Sequence, residues 1–256
     1  MDELEAYIKT LELSKNDSKI MSFEMPFRKS RQVSLQSGSE TDKDEAFMNY
    51  KALDSFVSGI SKQKQEDVLN SMLLAQRAAQ KAFPNRDQVK DWYEKYFEVL
   101  SKIGWTMEQH NFKNFETDSS IFEIEKAILG IISAALTGNQ LAIVVKTLEA
   151  LKSLNDNDSR FVAFEKNTHG LNEGSFQLGM ATENNGAVAV TLSAFLLKTD
   201  NRIKKILFFK SGKDETRMDY YLTKMTLLES KFDQARPFIL KKLNDDIDDY
   251  ISNLDI

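Results

Sequence analysis

The sequence predicts an α+β fold: N-terminal helices and a helical hairpin packed on an antiparallel β-meander, with a C-terminal helix. Three observations carry that prediction. Apolar residues recur every three or four positions from about residue 45 to residue 103, the spacing of one helix face. From about 160 to 228, short alternating or wholly apolar runs are separated by "HGLNEG", "ENNG" and "TDNR", the mark of strands joined by tight turns. Helical spacing then returns. A composition with 41% hydrophobic residues, ten glycines and three prolines agrees with a helix-rich globular unit.

Taken in order, residues 1–14 can form a short helix with Leu4, Ile8 and Leu11 on one face. From Ser14 to Asp44 the chain is rich in Ser, Lys, Asp and Gln, contains Pro26 and "RQVS", and ends in "QSGSETDKDE". Without apolar periodicity it reads as part of a mobile N-terminal arm over 1–44, ahead of a single domain over 45–256. Asp42 with Glu45 forms a capping box for a helix carrying Phe47, Tyr50, Leu53, Val57 and Ile60. A second helix carries Val68, Leu69, Met72, Leu73, Ala79 and Phe83 and stops at Pro84. Asn85 and Gln88 open a third, striped by Val89, Trp92, Tyr93, Tyr96, Leu100 and Ile103. After Gly104, "WTMEQHNFKNF" alternates loosely and predicts a strand over 105–116.

Residues 127–145, "AILGIISAALTGNQLAIVV", carry no formal charge, and such a run approaches the roughly 20 residues of a membrane-spanning helix. Its centre excludes that. Thr137, Gly138, Asn139 and Gln140 would place a turn and two unpartnered amides where hydrocarbon is driest. The stretch therefore reads as two helices, about 120–136 and 140–154, with Ser120 and Glu123 opening the first, Gly138 closing it and Asn139 capping the second. Ile124, Ala127, Ile128, Ile131 and Ala135 line one face of the first arm while Leu129, Ile132 and Leu136 cover another, which predicts burial on several sides. The second arm sets Leu141, Val144, Leu148 and Leu151 against Lys146, Glu149 and Lys152, which predicts a surface position.

Beyond residue 160, "RFVAFEK", "GSFQLGMATE", "GAVAVTLSAFLLK", "IKKILFFKS" and "TRMDYYLTKMTL" read as five strands of a meander, with "NNG" a hairpin turn. The run 187–197 is apolar on both faces, so helices must cover the sheet on both sides. Phe232, Ala235, Ile239, Leu243, Ile247, Tyr250 and Leu254 stripe the last helix, where Pro237 marks a start or a kink.

The absence of cysteine excludes disulfides, thiol nucleophiles and thiolate metal sites. His110 and His169 have no sequence-local partner, and no HExxH, GxSxG, Walker or GxGxxG motif is present. "NDNDSRFVAFEK" fails as a calcium loop, having Phe161 where the turn needs glycine and no acid at its end. Asp245, Asp246, Asp248 and Asp249 read as the solvated face of the last helix. No catalytic residue, cofactor or metal is assigned. A net charge of −5 and a pI near 5.3 argue against nucleic acid as partner. The acidic start, "MDELEAYIKT", has no signal-peptide character, which predicts a cytoplasmic protein or one exported without a classical signal peptide.

These features predict a non-enzymatic toxin- or effector-type protein acting on membranes or a protein partner through a sheltered apolar hairpin. The residues expected to meet that lipid surface or partner are Ile124, Ile128, Leu129, Ile131, Ile132, Leu136, Leu141 and Val144. The alternatives are a soluble interaction or scaffold protein without membrane activity, and an enzyme of unrecognised type.

Overall fold

The structure, a computed structural model, describes residues 3–14, 21–23, 43–108 and 111–252. Its strands are β1 Met21–Phe23, β2 Glu45–Asn49, β3 Ala52–Phe56, β4 Trp105–Met107, β5 Lys113–Phe115, β6 Ile121–Glu123, β7 Glu173–Asn184, β8 Ala187–Thr199, β9 Lys210–Gly212 and β10 Thr216–Leu227. The main sheet runs β1-β2-β3-β7-β8-β10-β4, with β5 pairing farther along β10, while β6 and β9 form a separate ribbon. The helices are α1 Glu3–Thr10, α2 Lys62–Ala82, α3 Val89–Lys102, α4 Ile124–Ser133, α5 Gly138–Ser153, α6 Ser159–Thr168 and α7 Glu229–Ser252. Helices α1, α2, α3 and α7 cover one face of the sheet; α4, α5 and α6 cover the other.

The alternation of strand side chains builds this three-layer arrangement. On β8, Val188, Val190, Leu192, Ala194 and Leu196 enter the core under α2, α3 and α7, whereas Phe195 and Leu197 enter the core under α4 and α5. Phe176, Leu178 and Met180 of β7 join the second core, and Phe176 stacks on Phe195 with ring centroids 5.0 Å apart. Each such side chain contributes about 1.5–3 kcal/mol by leaving water. The expectation that helices cover the 187–197 strand on both sides holds. The "NNG" turn holds too: Asn185 (φ 50°) and Gly186 (φ 83°) supply the left-handed pair that a tight hairpin needs.

Elsewhere the structure corrects the sequence reading. Within the 45–60 run expected as a helix, residues 45–56 form the β2–β3 hairpin, turning at Tyr50 with φ 60°, and 57–60 are a loop. Ala46, Met48 and Leu53 enter one core while Phe56 enters the other and Phe47 packs against it, so the run is apolar on two faces and mimics helical spacing. The sheet is not a pure antiparallel meander: β7, β8 and β10 are antiparallel, but β3 runs parallel to β7, Ala52 opposite Gln177. "RFVAFEK" is helix α6 instead of a strand; Asp158 caps it through a 2.9 Å bond from the Arg160 N–H, and Phe161, Phe164 and Thr168 share its buried face. "IKKILFFKS" supplies a 3₁₀ turn at Ile206–Phe208 and the short β9. The 105–116 strand divides into β4 and β5, with the Glu108 carbonyl between them accepting from Tyr221 and Thr223 hydroxyls at 3.2 and 3.1 Å.

Within the stretch expected as an arm, Ile8 and Leu11 are buried against the first core. The Arg77 guanidinium donates twice to the Ser14 carbonyl, at 3.1 and 2.7 Å. Residues 15–20 and 24–42, including "RQVS", lie outside the described residues. A two-pronged ion pair joins α7 to α2: Arg236 Nε and Nη2 donate to Asp67 at 2.7 Å each, and Asp67 is 4% exposed.

Candidate functional site: the uncharged helical hairpin

The uncharged stretch folds back as the sequence predicts, although the caps differ from those expected. The first helix begins at Ile124, because 121–123 are taken into the β6–β9 ribbon. Thr137, not Asn139, caps the second. Its hydroxyl accepts from the Gln140 N–H at 3.4 Å and its own N–H donates to Gln140 Oε1 at 2.9 Å, a reciprocal capping box. Lys152 of α5 pairs with Glu125 of α4 at 3.3 Å and ties the arms together at their far end.

All eight residues singled out from the sequence meet in one core. Ile124, Ile128, Ile131, Ile132 and Val144 are buried, and Leu129, Leu136 and Leu141 are half-buried against them. The predicted contrast between the arms is overturned. Helix α4 is not enclosed on several sides: Lys126, Gly130 and Ser133 are exposed, as are Ala134 and Ala135 just beyond it, and α5 buries a face as broad as that of α4. Sequence alone misleads here because glycine, serine and alanine look apolar in a run but are small enough to form a solvent-facing stripe.

The exposed residues at this end, Gly130, Ser133, Ala134, Ala135, Thr137, Gly138, Asn139 and Ala142, are small and uncharged. Inner and outer surfaces of the hairpin end are thus both free of charge. Opposite, α5 meets the sheet at a buried polar contact, where Thr147 Oγ1 donates to the Ile143 carbonyl at 3.0 Å and accepts from the Ser55 hydroxyl of β3 at 2.9 Å.

Beside α4 packs the Ile206–Phe208 turn, with Ile206 and Leu207 fully buried in the same core. Glu165 of α6 anchors that turn by accepting from the Ile206 N–H at 3.0 Å, and its Oε2 also lies 2.7 Å from His169 Nε2. His169 Nδ1 is 2.7 Å from the Gly170 carbonyl. Burial by itself would lower the imidazole, but the Glu165 carboxylate and the Gly170 carbonyl outweigh it and hold the ring above its ordinary 6.5. The sequence does not reveal this pair, because it predicts a strand at 165 and a turn at 169; on a helix the two are four apart and face each other.

His110 lies outside the described residues, as do the side chains of Asp245, Asp246, Asp248 and Asp249. Among the described residues, no group of three His, Asp or Glu side chains could hold a metal ion. No helix among them is long and apolar enough to cross a membrane.

No family model matches the sequence, and no curated protein matches it. Among solved structures, three show a distant likeness. One titled a delta-endotoxin is 14% identical, with a TM-score of 0.42 over 79% of this chain and 89% of that one. The activated Cyt2Ba monomer from Bacillus thuringiensis subsp. israelensis is 12% identical, with a TM-score of 0.32 over 53% and 79%. The Evf virulence factor is 13% identical, with a TM-score of 0.36 over 78% and 81%. Likeness at this level carries no function across.

Proposed function

We propose that this protein is of toxin or effector type and acts by swinging the α4–α5 hairpin away from the sheet and onto a lipid surface. One observation carries the reading: from Ala127 to Val145 the hairpin holds no charge on either its buried or its exposed side. Moving a charged side chain into hydrocarbon costs roughly 2.5–3.5 kcal/mol even by the mildest scales, and this hairpin end meets no such cost. The buried Ile, Leu and Val of α4 and α5 exchange one apolar environment for another, so transfer is nearly neutral for them. The backbone stays hydrogen-bonded within two helices joined by a capped turn. The reading stands on these features independently of the distant structures.

The test is a staple. With no natural cysteine to compete, the Ser55→Cys/Thr147→Cys variant places two sulfurs where hydroxyls lie 2.9 Å apart, joining α5 to β3. While that bond is intact, α5 stays tethered to β3 and the hairpin cannot swing away from the sheet. The oxidised protein should not release dye from anionic liposomes, and reduction should restore release to the unstapled rate. Equal release by the oxidised and reduced forms, or no lipid association by the unmodified protein at any pH, would remove the mechanism.

A further inference from the structure

Away from the hairpin, where the end of α6 reaches the helices of the other layer, a cavity of about 190 Å³ lies between the β2–β3 turn, the end of α2, the start of α3 and the end of α6. Lys51, Arg86 and Lys166 line it together with Trp92, Tyr50 and Phe83, and no carboxylate contributes to its wall. In a chain whose net charge is −5, three cations line a wall that holds no acid, the Glu173 carboxylate near Arg86 standing outside it.

Lys51 is the unusual member. It is 7% exposed, and its Nζ sits 4.9 Å from the Trp92 ring centroid and 5.9 Å from that of Tyr50. Its backbone N–H is held by Gln76 Oε1 at 3.1 Å, and Gln76 in turn donates to the Asn49 carbonyl at 3.0 Å, so the turn that carries it is fixed from α2. The groups facing it are Tyr50 on its own turn, Gln76 and Gln80 from α2, Arg86 ahead of α3, Trp92 in α3 and Lys166 in α6. A buried ammonium ordinarily has a carboxylate beside it; this one has aromatic faces and a guanidinium. The indole N–H of Trp92 is also buried without an acceptor. Arg86 donates to the Lys166 carbonyl at 3.4 Å and has the Glu173 carboxylate nearby, outside the cavity wall, so the Lys51 ammonium and the Trp92 indole N–H are the groups here that lack an acceptor.

We propose that this cavity binds a small organic anion, its carboxylate or phosphate group held by Lys51 and Arg86 and its flat apolar body lying against Trp92 and Phe83. A bound anion supplies the countercharge and acceptor that the wall lacks, and the planar guanidinium suits a two-oxygen head group. The site is independent of the hairpin and its release. Protonation gives a second signature. Burial first, and the neighbouring Arg86 charge second, push the Lys51 amine down to about 7, while burial pushes the Tyr50 phenol up to about 12 and keeps it neutral. An anion that pairs with the ammonium draws a proton onto Lys51, so binding above neutral pH proceeds with proton uptake.

Trp92 is one of two tryptophans, and Trp105 is already engaged, donating to Ser71 at 3.0 Å. Titration of the full chain with benzoate, phenyl phosphate and inorganic phosphate should shift tryptophan emission. Saturation by both aromatic anions but not by phosphate supports the proposal, and whichever aromatic anion binds more tightly identifies the head group. Calorimetry near pH 8 in two buffers of different ionisation heat should report proton uptake. Lys51→Met, which keeps the stem and removes the charge, should weaken binding at least about tenfold, and so should Arg86→Gln at its half-exposed position should the first variant fail to fold. Absence of saturation by either aromatic anion below about 10 mM overturns the site, and so does unchanged affinity in a folded variant of either residue. Binding of inorganic phosphate as tightly as the aromatic anions overturns the role given to Trp92 and Phe83.

Discussion

His169→Gln offers a sharp test of the contact that holds the Ile206–Phe208 turn against α4. Both imidazole nitrogens face acceptors at 2.7 Å, Glu165 Oε2 and the Gly170 carbonyl, and the ring can donate to both only as the imidazolium. A charge-assisted bond of this kind contributes about 1.5–3 kcal/mol, and the neutral ring keeps one donor of the two. Because the folded ring is held above its ordinary 6.5, its stabilisation is complete below that value and is lost as pH rises through the raised one. A glutamine donates at only one end, so the substitution should cost about 2–3 kcal/mol near pH 5.5, shrinking to about 1 kcal/mol near pH 9.5. Urea unfolding of both proteins at the two pH values, followed by circular dichroism, measures the difference. A cost equal at both, or greater on the alkaline side, would refute the reasoning, since it would mean that folding does not raise the ring's hold on its second proton.

Two further substitutions probe the core and the hairpin turn. Asp54 is buried in β3, and burial pushes its carboxyl up to about 7 against the opposing bond that Asn49 Nδ2 donates at 3.2 Å. The native state therefore holds a proton that the unfolded chain lacks between about pH 4 and 7, stability falls across that window, and Asp54→Asn should recover at most roughly 4 kcal/mol above it and nothing below. Denaturant midpoints at about pH 4 and 8 check this, and an equal gain at both contradicts it. Thr137→Ala removes the hydroxyl half of the hairpin's capping box and should cost about 1 kcal/mol, with faster amide exchange confined to the first turn of α5. Unchanged exchange there would mean that packing alone holds the turn.

The elements legible in the sequence are long and repeat one period. Helices α2, α3 and α7 and strands β7, β8 and β10 appear where periodicity places them, and the uncharged stretch turns at Thr137–Gln140 as its polar centre demands. Short segments were read less well. The 45–60 run reads as a helix because a hairpin lodged between two cores is apolar on both faces, and a period of two with both phases filled resembles 3.6. Helix α6 reads as a strand despite its capping aspartate, Asp158, because seven residues with four adjacent apolar ones fit either period.

Composition and periodicity determined what is local: which stretches are helical, which alternate, where charge is missing, and that an α+β unit results. Only the tertiary structure decided which distant residues meet. The parallel placement of β3 beside β7, the hold of Glu165 on the Ile206 N–H beside α4 and the union of Lys51, Arg86, Trp92 and Lys166 in one cavity depend on chain reversals between segments tens of residues apart. Backbone periodicity is a property of neighbours in sequence, whereas the electrostatics of a buried amine or imidazole belong to whatever the fold packs around it, and so those groups acquired their character only on folding.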